Sequence, residues 1–275
     1  MKVRFWGVRG SLPTPGQSTI RVGGNTSCVE VIADGNTILF DAGSGLAVLG
    51  GRMMRDAKPV KASLFMSHVH HDHVQGFPFF VPAYTPTTSL NIYAERKGKA
   101  GPERIFNDVM MAPFFPVTIS MVMKANINFN EVADGDKVRI SPSVSVFARK
   151  LNHPNGALGY RVESVEKGKK RVFAYVTDTE HTNEPDQNII DLIREADAFA
   201  YDSMYTADEY KAHKGFGHST WEEAIRLAKL AKAKRYVIFH HDPSHSDRDM
   251  AKILKEAREQ FKRTLLAFEG LELSF

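Results

Sequence analysis

Ser67-His68-Val69-His70-His71-Asp72-His73 is the segment that decides how the rest of this sequence is interpreted. It follows directly on a short apolar run, which predicts a strand that leads into a cluster of imidazole and carboxylate groups. Alternate residues of an extended segment face the same way, so His68 and His70 can bind one metal ion. The chain then turns, and Asp72 and His73 can face a second ion nearby. A solvated polar loop is the alternative, but the concentration of metal-ligating side chains favours a metal site.

The composition is that of a globular protein with an unusual share of histidine. Of the 275 residues, 43% are apolar and 25% are charged, which excludes disorder, collagen-like repeats and a disulfide-built scaffold. Eleven histidines accompany one cysteine, Cys28, so no internal disulfide can form. Met1–Gly10 lacks the apolar core of a signal peptide, and no apolar run is long enough to span a membrane. We therefore expect a cytoplasmic protein without a membrane partner.

The charge balance is mildly basic. The net charge is +4 and the sequence pI is about 9.0, which favours anionic partners without requiring nucleic acid. Three basic runs, Arg96–Lys99, Lys167–Arg171 and Lys229–Arg235, are interpreted as solvated faces and turns. The sequence does not indicate whether they align into one strip.

Hydrophobic periodicity predicts strands in the first half of the chain and both helices and strands in the second. Apolar stripes predict helices over Ser219–Ala233 and Asp247–Lys262, and Ser219 or Thr220 can cap the first of them. The predicted strands are Lys2–Val8, Cys28–Ala33, Thr37–Asp41, Ala62–Ser67, Ser89–Ala94, Lys137–Ile140, Val144–Leu151, Leu158–Ser164, Arg171–Thr177, Phe199–Asp202, Tyr236–His240 and Leu265–Glu269. Because no linker or repeat interrupts this order, we predict one layered α/β domain over residues 1–275.

The segment Phe77–Met123 is rich in Phe, Met and Pro and fits the layered arrangement least well. Packing onto the core is one interpretation of its apolar residues. The other is a lid beside the site or a contact between subunits, because Met and aromatic side chains supply adaptable apolar surface. On this second interpretation the chain can form a homodimer.

His68-Val69-His70-His71-Asp72-His73 resembles the HxHxDH signature of the metallo-β-lactamase fold superfamily. The other positions of that signature occur in the expected order, each after an apolar run, at Asp41, His153, Asp178 and His240. The match extends over nearly the whole chain. The resemblance implies a four-layer αββα sandwich with the site on loops at one edge of its two sheets.

Within the superfamily, the sequence is most similar to the ribonuclease Z-like and phosphodiesterase branch. Gly217-His218-Ser219-Thr220 resembles the His-Ser-Thr element of that branch, and so does Leu158-Gly159-Tyr160-Arg161 after His153. Asp202 stands where the branch has an acidic partner for the histidine. The sequence lacks the long arm, rich in glycine and proline, with which ribonuclease Z holds tRNA. This difference weighs against tRNA processing.

The resemblance implies two divalent metal ions, with Zn²⁺ expected first and Mn²⁺ or Fe as alternatives. Two ions that share a water can supply hydroxide at neutral pH, which would attack phosphorus in line with the leaving oxygen. Asp72 would also orient this nucleophile. The implied ligands are His68, His70 and His153 for the first ion, Asp72, His73 and His240 for the second, and Asp178 as the bridge.

His218 is the catalytic residue that the resemblance implies besides the metals. It precedes a predicted helix N-terminus, where it can donate to a phosphoryl oxygen or protonate the leaving group. Asp202 can hold its ring and raise its pKa. The alternative for His218 is a capping neighbour without a catalytic part. Asp41 is expected to support the metal loop from behind. The remaining histidines are expected at the surface or behind the ligands, with His181 the best placed to touch substrate; they are His71, His181, His213, His241 and His245.

These features predict a dinuclear metal-dependent hydrolase that cleaves a phosphodiester, with a cyclic nucleotide or another small phosphodiester as substrate. Three alternatives stay open. An RNA endonuclease resembling ribonuclease Z would take RNA as its partner. A hydrolase of carboxylic esters, thioesters or lactams would keep the metals and change the substrate. A metal-holding binding or sensor protein would lack turnover altogether.

Overall fold

The computed structural model describes residues 1–56 and 58–275, and it contains two seven-stranded mixed sheets. The strands are β1 (Lys2–Gly7), β2 (Cys28–Ala33), β3 (Asn36–Phe40), β4 (Lys61–Phe65), β5 (Ser89–Ala94), β6 (Asn126–Glu131), β7 (Lys137–Ser141), β8 (Val144–Leu151), β9 (Ala157–Glu166), β10 (Lys169–Val176), β11 (Ala198–Asp202), β12 (Tyr236–Phe239), β13 (Thr264–Leu266) and β14 (Glu272–Ser274). The first sheet has the order β14-β1-β2-β3-β4-β5-β6 and the second has β13-β12-β11-β10-β9-β8-β7.

Helices cover the outer faces of both sheets. The α-helices of the described residues are α1 (Ser44–Arg55), α2 (His71–Val74), α3 (Pro102–Val109), α4 (Ile119–Val122), α5 (Gln187–Ile193), α6 (Ala207–Tyr210), α7 (Trp221–Leu230) and α8 (Asp247–Gln260). On the first sheet, α1 contacts β1 and β2, and α3 contacts β5 and β6. On the second sheet, α5, α7 and α8 contact strands β8 to β13. The arrangement is a four-layer αββα sandwich.

Aromatic side chains fill the space between the two sheets. Phe40 of the first sheet stacks on Tyr160 and Tyr175 of the second, with ring centroids 5.5 and 5.2 Å apart. All three side chains are fully buried, as in a closely packed protein core. We propose that residues 1–275 form one domain, because one continuous core contacts both sheets.

Parallel pairing brings the polar residues that follow the strands to one edge of the sandwich. β10, β11 and β12 run parallel to one another, as do β3, β4 and β5. Because the carboxyl ends of parallel strands meet at the same edge, the loops after them converge. The N-terminus of α7 lies at this edge as well, and its N-cap Thr220 accepts a hydrogen bond from the backbone N–H of Glu223.

The segment Phe77–Met123 is divided between core and surface. Phe77, Phe80 and Phe106 are fully buried against the outer face of the first sheet. Phe79 and Phe114, in contrast, are mostly exposed. The core interpretation therefore holds for the buried part of the segment, and a lid or a homodimer contact remains a prediction for its exposed part.

The last predicted strand, Leu265–Glu269, is wrong in its bounds. The strand is Thr264–Leu266, and the chain turns before it forms the short edge strand β14.

Among the helices of the described residues, none has the length and apolar character needed to cross a membrane. The expected cytoplasmic location stays a prediction.

Candidate metal centre

Three histidines from two loops form the first group of candidate ligands. His68 and His70 follow β4, and His153 follows β8. Nε2 of His68 lies 2.9 Å from Nδ1 of His70, and Nε2 of His153 lies 3.2 Å from that same Nδ1. Three imidazole nitrogens that converge in this way can bind one divalent cation.

The second group combines two imidazoles with two carboxylates and is buried. Nε2 of His73 lies 3.1 Å from Oδ2 of Asp72 and 3.2 Å from Oδ1 of Asp178. Nε2 of His240 lies 3.1 Å from the same Oδ1 of Asp178. The side chains of all four residues are at most 8% exposed, so a cation there would be largely shielded from solvent.

Asp178 lies between the two groups. Its Oδ1 faces His73 and His240, while its Oδ2 lies 3.6 Å from Nε2 of His68 and 3.7 Å from Nε2 of His153. One carboxylate thus offers one oxygen to each group. The structure therefore brings together all seven ligands that the sequence resemblance implies, in the grouping that it implies.

The electrostatics of the cluster fit divalent cations. Burial acts to raise the pKa of Asp178, but the surrounding imidazoles outweigh it and hold the pKa well below its usual range. For Asp72, burial is likewise outweighed, chiefly by His73, and the pKa is again lowered. Both carboxylates are therefore anionic at neutral pH. A donor set of imidazole nitrogen and carboxylate oxygen suits Zn²⁺, Mn²⁺ or Fe.

Several of these residues adopt a strained backbone directly after a strand. Asp41, Asp178 and His240 have φ values of 60°, 56° and 59°, in the left-handed region that residues other than glycine rarely occupy. Each such residue costs roughly 1–3 kcal/mol, and such costs persist where a site requires the conformation. The turn that follows each strand thus aims a polar side chain at the shared edge.

Asp41 supports the metal loop from behind. Its Oδ2 lies 2.8 Å from Nδ1 of His73 and accepts hydrogen bonds from the hydroxyls of Ser67 and Tyr175. Its Oδ1 accepts the backbone N–H of Ser67. Because Nδ1 of His73 is bound in this way, its Nε2 is left to face Asp72 and Asp178.

Two backbone contacts at the site have no signal in the sequence motifs. The backbone N–H of Ser11 donates to Oδ2 of Asp72 at 2.8 Å, and Gly10 packs against the ring of His240. A Cβ on Gly10 would lie 2.5 Å from that ring, so only glycine fits there without movement. The glycine-rich N-terminal loop therefore forms one wall of the cluster.

His218 and Asp202 form a hydrogen-bonded pair beside the two groups. Nδ1 of His218 lies 2.9 Å from Oδ2 of Asp202, which also accepts the backbone N–H of Thr179. Burial acts to lower the pKa of His218, but the charge of Asp202 outweighs it and raises the pKa to about 9. The ring centroids of His153 and His240 lie 5.4 and 5.2 Å from that of His218. With Nδ1 bound to Asp202, Nε2 is the ring nitrogen that remains available.

The other five histidines lie outside the two ligand groups. His181 has its Nδ1 2.8 Å from the hydroxyl of Ser219, and its ring packs against Tyr210. This contact places His181 behind the His218 loop, and whether it touches substrate stays a prediction. His71 is exposed. The other three bind protein oxygens: Nδ1 of His213 the carbonyl of Glu209, Nε2 of His241 the carbonyl of Ala267, and Nε2 of His245 the carboxylate of Glu209.

Residues 36–241 match the family described as the beta-lactamase superfamily domain, and the chain belongs to this family. Among curated relatives, it is 24% identical to a ribonuclease Z of Haloarcula marismortui, over 99% of this chain and 96% of that one. It is 26% identical to a ribonuclease Z of Gemmatimonas aurantiaca, over 98% and 95% of the two chains. The predicted superfamily and its ribonuclease Z-like branch are thereby confirmed.

Solved structures share the fold at lower identity. The metallo-beta-lactamase fold protein YhfI from Bacillus subtilis matches with a TM-score of 0.72 and 19% identity, covering 99% of this chain and 98% of its own. Human tRNase Z, short form, matches with a TM-score of 0.68 and 20% identity, covering 100% and 99%. The predicted αββα fold class is confirmed, and the chain is a metal-dependent hydrolase of the metallo-β-lactamase fold.

Proposed function

We propose that this chain hydrolyses a small phosphodiester at a centre of two divalent cations. The observation that carries the proposal is Asp178, whose two carboxylate oxygens each face a separate group of candidate ligands. Paired cations a few ångströms apart are typical of enzymes that cleave phosphate esters. The His218–Asp202 pair beside them supports turnover rather than mere metal storage.

The residues proposed to hold the cations are those of the two groups. When bound, the ions would polarise phosphoryl oxygens and lower the pKa of a coordinated water towards neutrality. Zn²⁺ is the proposed metal, and Mn²⁺ or Fe would suit the same nitrogen and oxygen donors. The proposed ligands are His68, His70 and His153 for one ion, Asp72, His73 and His240 for the other, and Asp178 for both.

Asp72, His218 and Asp202 are the proposed catalytic and positioning side chains. Oδ2 of Asp72 is held by the backbone N–H of Ser11, and the anionic carboxylate can accept a hydrogen bond from an attacking water and so orient it. Nε2 of His218 can donate to a phosphoryl oxygen and then protonate the leaving oxygen. Asp202 fixes the His218 ring and favours its protonated form.

The chain segment between His153 and Asp178 is short and compact, which supports a small substrate. It consists of a short turn and the hairpin of β9 and β10, whose strands pair over most of their length. These residues are all described, and they include no arm that could extend over a large RNA. An RNA substrate is the second candidate, because the relatives that align over nearly the whole chain are named ribonuclease Z.

Hydrolysis of bis-p-nitrophenyl phosphate by the metal-loaded protein tests the reaction class. We expect turnover that a chelator or Asp72→Ala abolishes. His218→Ala should lower turnover by about 10²-fold or more with metal content intact, since general acid–base catalysis contributes about 10²–10⁴-fold. His71→Ala, an exposed histidine inside the same motif, is the matched control and should leave turnover unchanged.

A substrate panel then separates the alternatives. Activity confined to carboxylic esters, thioesters or lactams would overturn the phosphodiesterase proposal. Tight metal binding without turnover on any substrate would favour a binding or sensor protein. Comparison of cyclic nucleotides with single-stranded and structured RNA chooses between the two candidate substrates.

A further inference from the structure

A cavity far from the candidate metal centre is lined mostly by cationic side chains. It has a volume of about 500 Å³ and lies at the amino ends of β11, β12 and β13, whereas Asp202 and His240 lie at the carboxyl ends. We name it the basic cavity. Its charged lining residues are Lys234, Arg235, Arg258, Lys262, Arg263 and Asp197.

The parallel pairing of the three strands gathers these residues from distant parts of the chain. Asp197 precedes β11, Lys234 and Arg235 precede β12, and Lys262 and Arg263 precede β13. Arg258 adds a guanidinium from the last turn of α8. Lys234 and Arg235, at the end of the basic run Lys229–Arg235, thus belong to a three-dimensional cluster that the sequence alone does not reveal.

The charges of the basic cavity are not balanced by the fold. Asp197 pairs with Lys234 at 2.8 Å, and among the described residues the other four cations have no carboxylate partner within ion-pair distance. The lining has a net charge of +4, equal to the net charge of the whole chain. Burial, with a contribution from the charge of Arg263, lowers the pKa of Arg235 against the opposing charge of Asp197. A multivalent anion would relieve this repulsion.

Two of the guanidinium groups are fixed by the backbone. Nε of Arg235 donates to the carbonyl of Asp197 at 2.9 Å, and its Cζ lies 4.7 Å from the ring centroid of Phe275. Nε of Arg258 donates to the carbonyl of Thr264 at 3.0 Å. Among the described residues, the terminal nitrogens of both groups have no hydrogen-bond acceptor. An anchored guanidinium with a free terminal pair is the geometry that binds phosphate oxygens bidentately.

We propose that the basic cavity binds a polyphosphate group, either as an inorganic chain or as part of a nucleotide. Its volume lies in the range of small-molecule sites, about 300–1,000 Å³, rather than that of an extended strip for a long polyanion. A phosphate carries a charge of about −1.5 to −2, so two or more linked phosphoryl groups match the net charge of the lining better than one. The site lies at the opposite edge from the metal centre, and its ligand does not compete with the proposed substrate.

Isothermal titration with sodium tripolyphosphate and with ATP, at fixed ionic strength and on the metal-loaded protein, tests the proposal. We expect one ligand per chain and an affinity that falls at least about tenfold in the double variant Lys262→Gln/Arg263→Gln, whose exposed side chains form no ion pair with any residue that the structure describes. The matched control is Lys137→Gln/Arg139→Gln, on the opposite edge strand of the same sheet. Chelation of metal by the probes affects every variant equally, so only differences between variants report on the cavity.

Two further measurements complete the test. Arg258→Lys keeps the positive charge but removes the planar guanidinium that can bind two phosphate oxygens. It should lower the affinity for both probes, while the melting temperature stays within a few degrees of that of the parent protein. ATP binding tighter than tripolyphosphate would identify a nucleotide as the source, and equal affinities would identify the phosphate chain alone. Equal binding by the double variant and its parent would overturn the proposal, as would binding of RNA oligonucleotides without any binding of tripolyphosphate.

The binding site and the proposed hydrolase activity are separable. The double variant should hydrolyse bis-p-nitrophenyl phosphate at the parental rate, because none of its changes lies near the metal centre. If the parent lacks that activity, the proposed function fails while the titrations still decide the basic cavity.

Discussion

The backbone carbonyl of Gly217 accepts a hydrogen bond from Nδ1 of His153 at 2.8 Å. This contact requires the proton of His153 on Nδ1 and leaves Nε2 free to face His70 and Asp178. Gly217 has a φ of 86°, and a Cβ on it would lie 2.5 Å from that same Nδ1. The residue before His218 therefore also orients a candidate metal ligand.

Substitution of Gly217 tests this relationship. We expect Gly217→Ala to lower both the metal affinity and the turnover rate by about 10–100-fold, which is the usual cost of disturbing a group that orients a metal ligand. Gly215→Ala is the control, since its φ of 89° imposes the same backbone strain and its Cβ would meet no atom within 4 Å. Metal analysis and turnover on bis-p-nitrophenyl phosphate measure both variants. Equal losses in the two would assign the effect to backbone strain alone.

Glu180 holds the loop that carries Gly217. Its Oε1 accepts the backbone N–H of Gly215 and the hydroxyl of Tyr210, and its Oε2 accepts the N–H of Gly217 at 2.9 Å. A glutamine offers one acceptor oxygen in place of two, so Glu180→Gln should lower kcat roughly tenfold with KM nearly unchanged. Glu184→Gln, at an exposed position four residues on, should have no effect. A rise in KM at constant kcat would argue instead that Glu180 contacts substrate.

Removal of the proposed metal ions should lower the stability of the fold as well as the proposed activity. Ions that bind only the folded chain stabilise it by about 2.7 kcal/mol per site at about 100 times Kd, which corresponds to roughly 5–10 °C in Tm. We expect dipicolinate to lower Tm and added Zn²⁺ or Mn²⁺ to restore it. Asp178→Asn, which removes the charge between the two groups, should melt at a temperature that responds much less to either addition.

Phe106 and Phe114 provide a matched test of the segment Phe77–Met123. Phe106 is fully buried, with its ring 4.6 Å from that of Phe77, whereas Phe114 is 92% exposed. Phe106→Ala should lower the free energy of unfolding by about 3–5 kcal/mol, and Phe114→Ala by less than about 0.5 kcal/mol. Chemical denaturation measures both.

Sedimentation of Phe114→Ser tests the predicted homodimer, which a change of this exposed residue should weaken.

Strands were predictable where apolar residues either alternate or run together. The bounds of Cys28–Ala33, Ser89–Ala94 and Val144–Leu151 agree with the sequence prediction because each is a β-branched or apolar run between turn residues. The helix Ser44–Arg55 was missed, since Gly50 and Gly51 in its middle lower its intrinsic helix propensity. Tertiary packing on β1 and β2 stabilises it instead.

The candidate ligands were predictable because a motif and the ends of strands mark them in the sequence. The contacts of Ser11, Gly217 and Glu180 were not predictable, since each involves a backbone N–H or carbonyl group and joins residues far apart in the chain. The N–H of Ser11 meets Asp72 at a separation of 61 residues, and the carbonyl of Gly217 meets His153 at 64. A backbone donor or acceptor is present at nearly every position, so residue type carries no signal of such a contact.

The left-handed backbone of Asp41, Asp178 and His240 implies a trade-off between stability and function. At each position a glycine would relax the φ angle, which is 60°, 56° and 59° in turn, and would remove the side chain that the site uses. Selection for stability alone would therefore erode the metal centre first. At these three positions the candidate metal centre retains a side chain in a conformation that glycine would adopt with less strain.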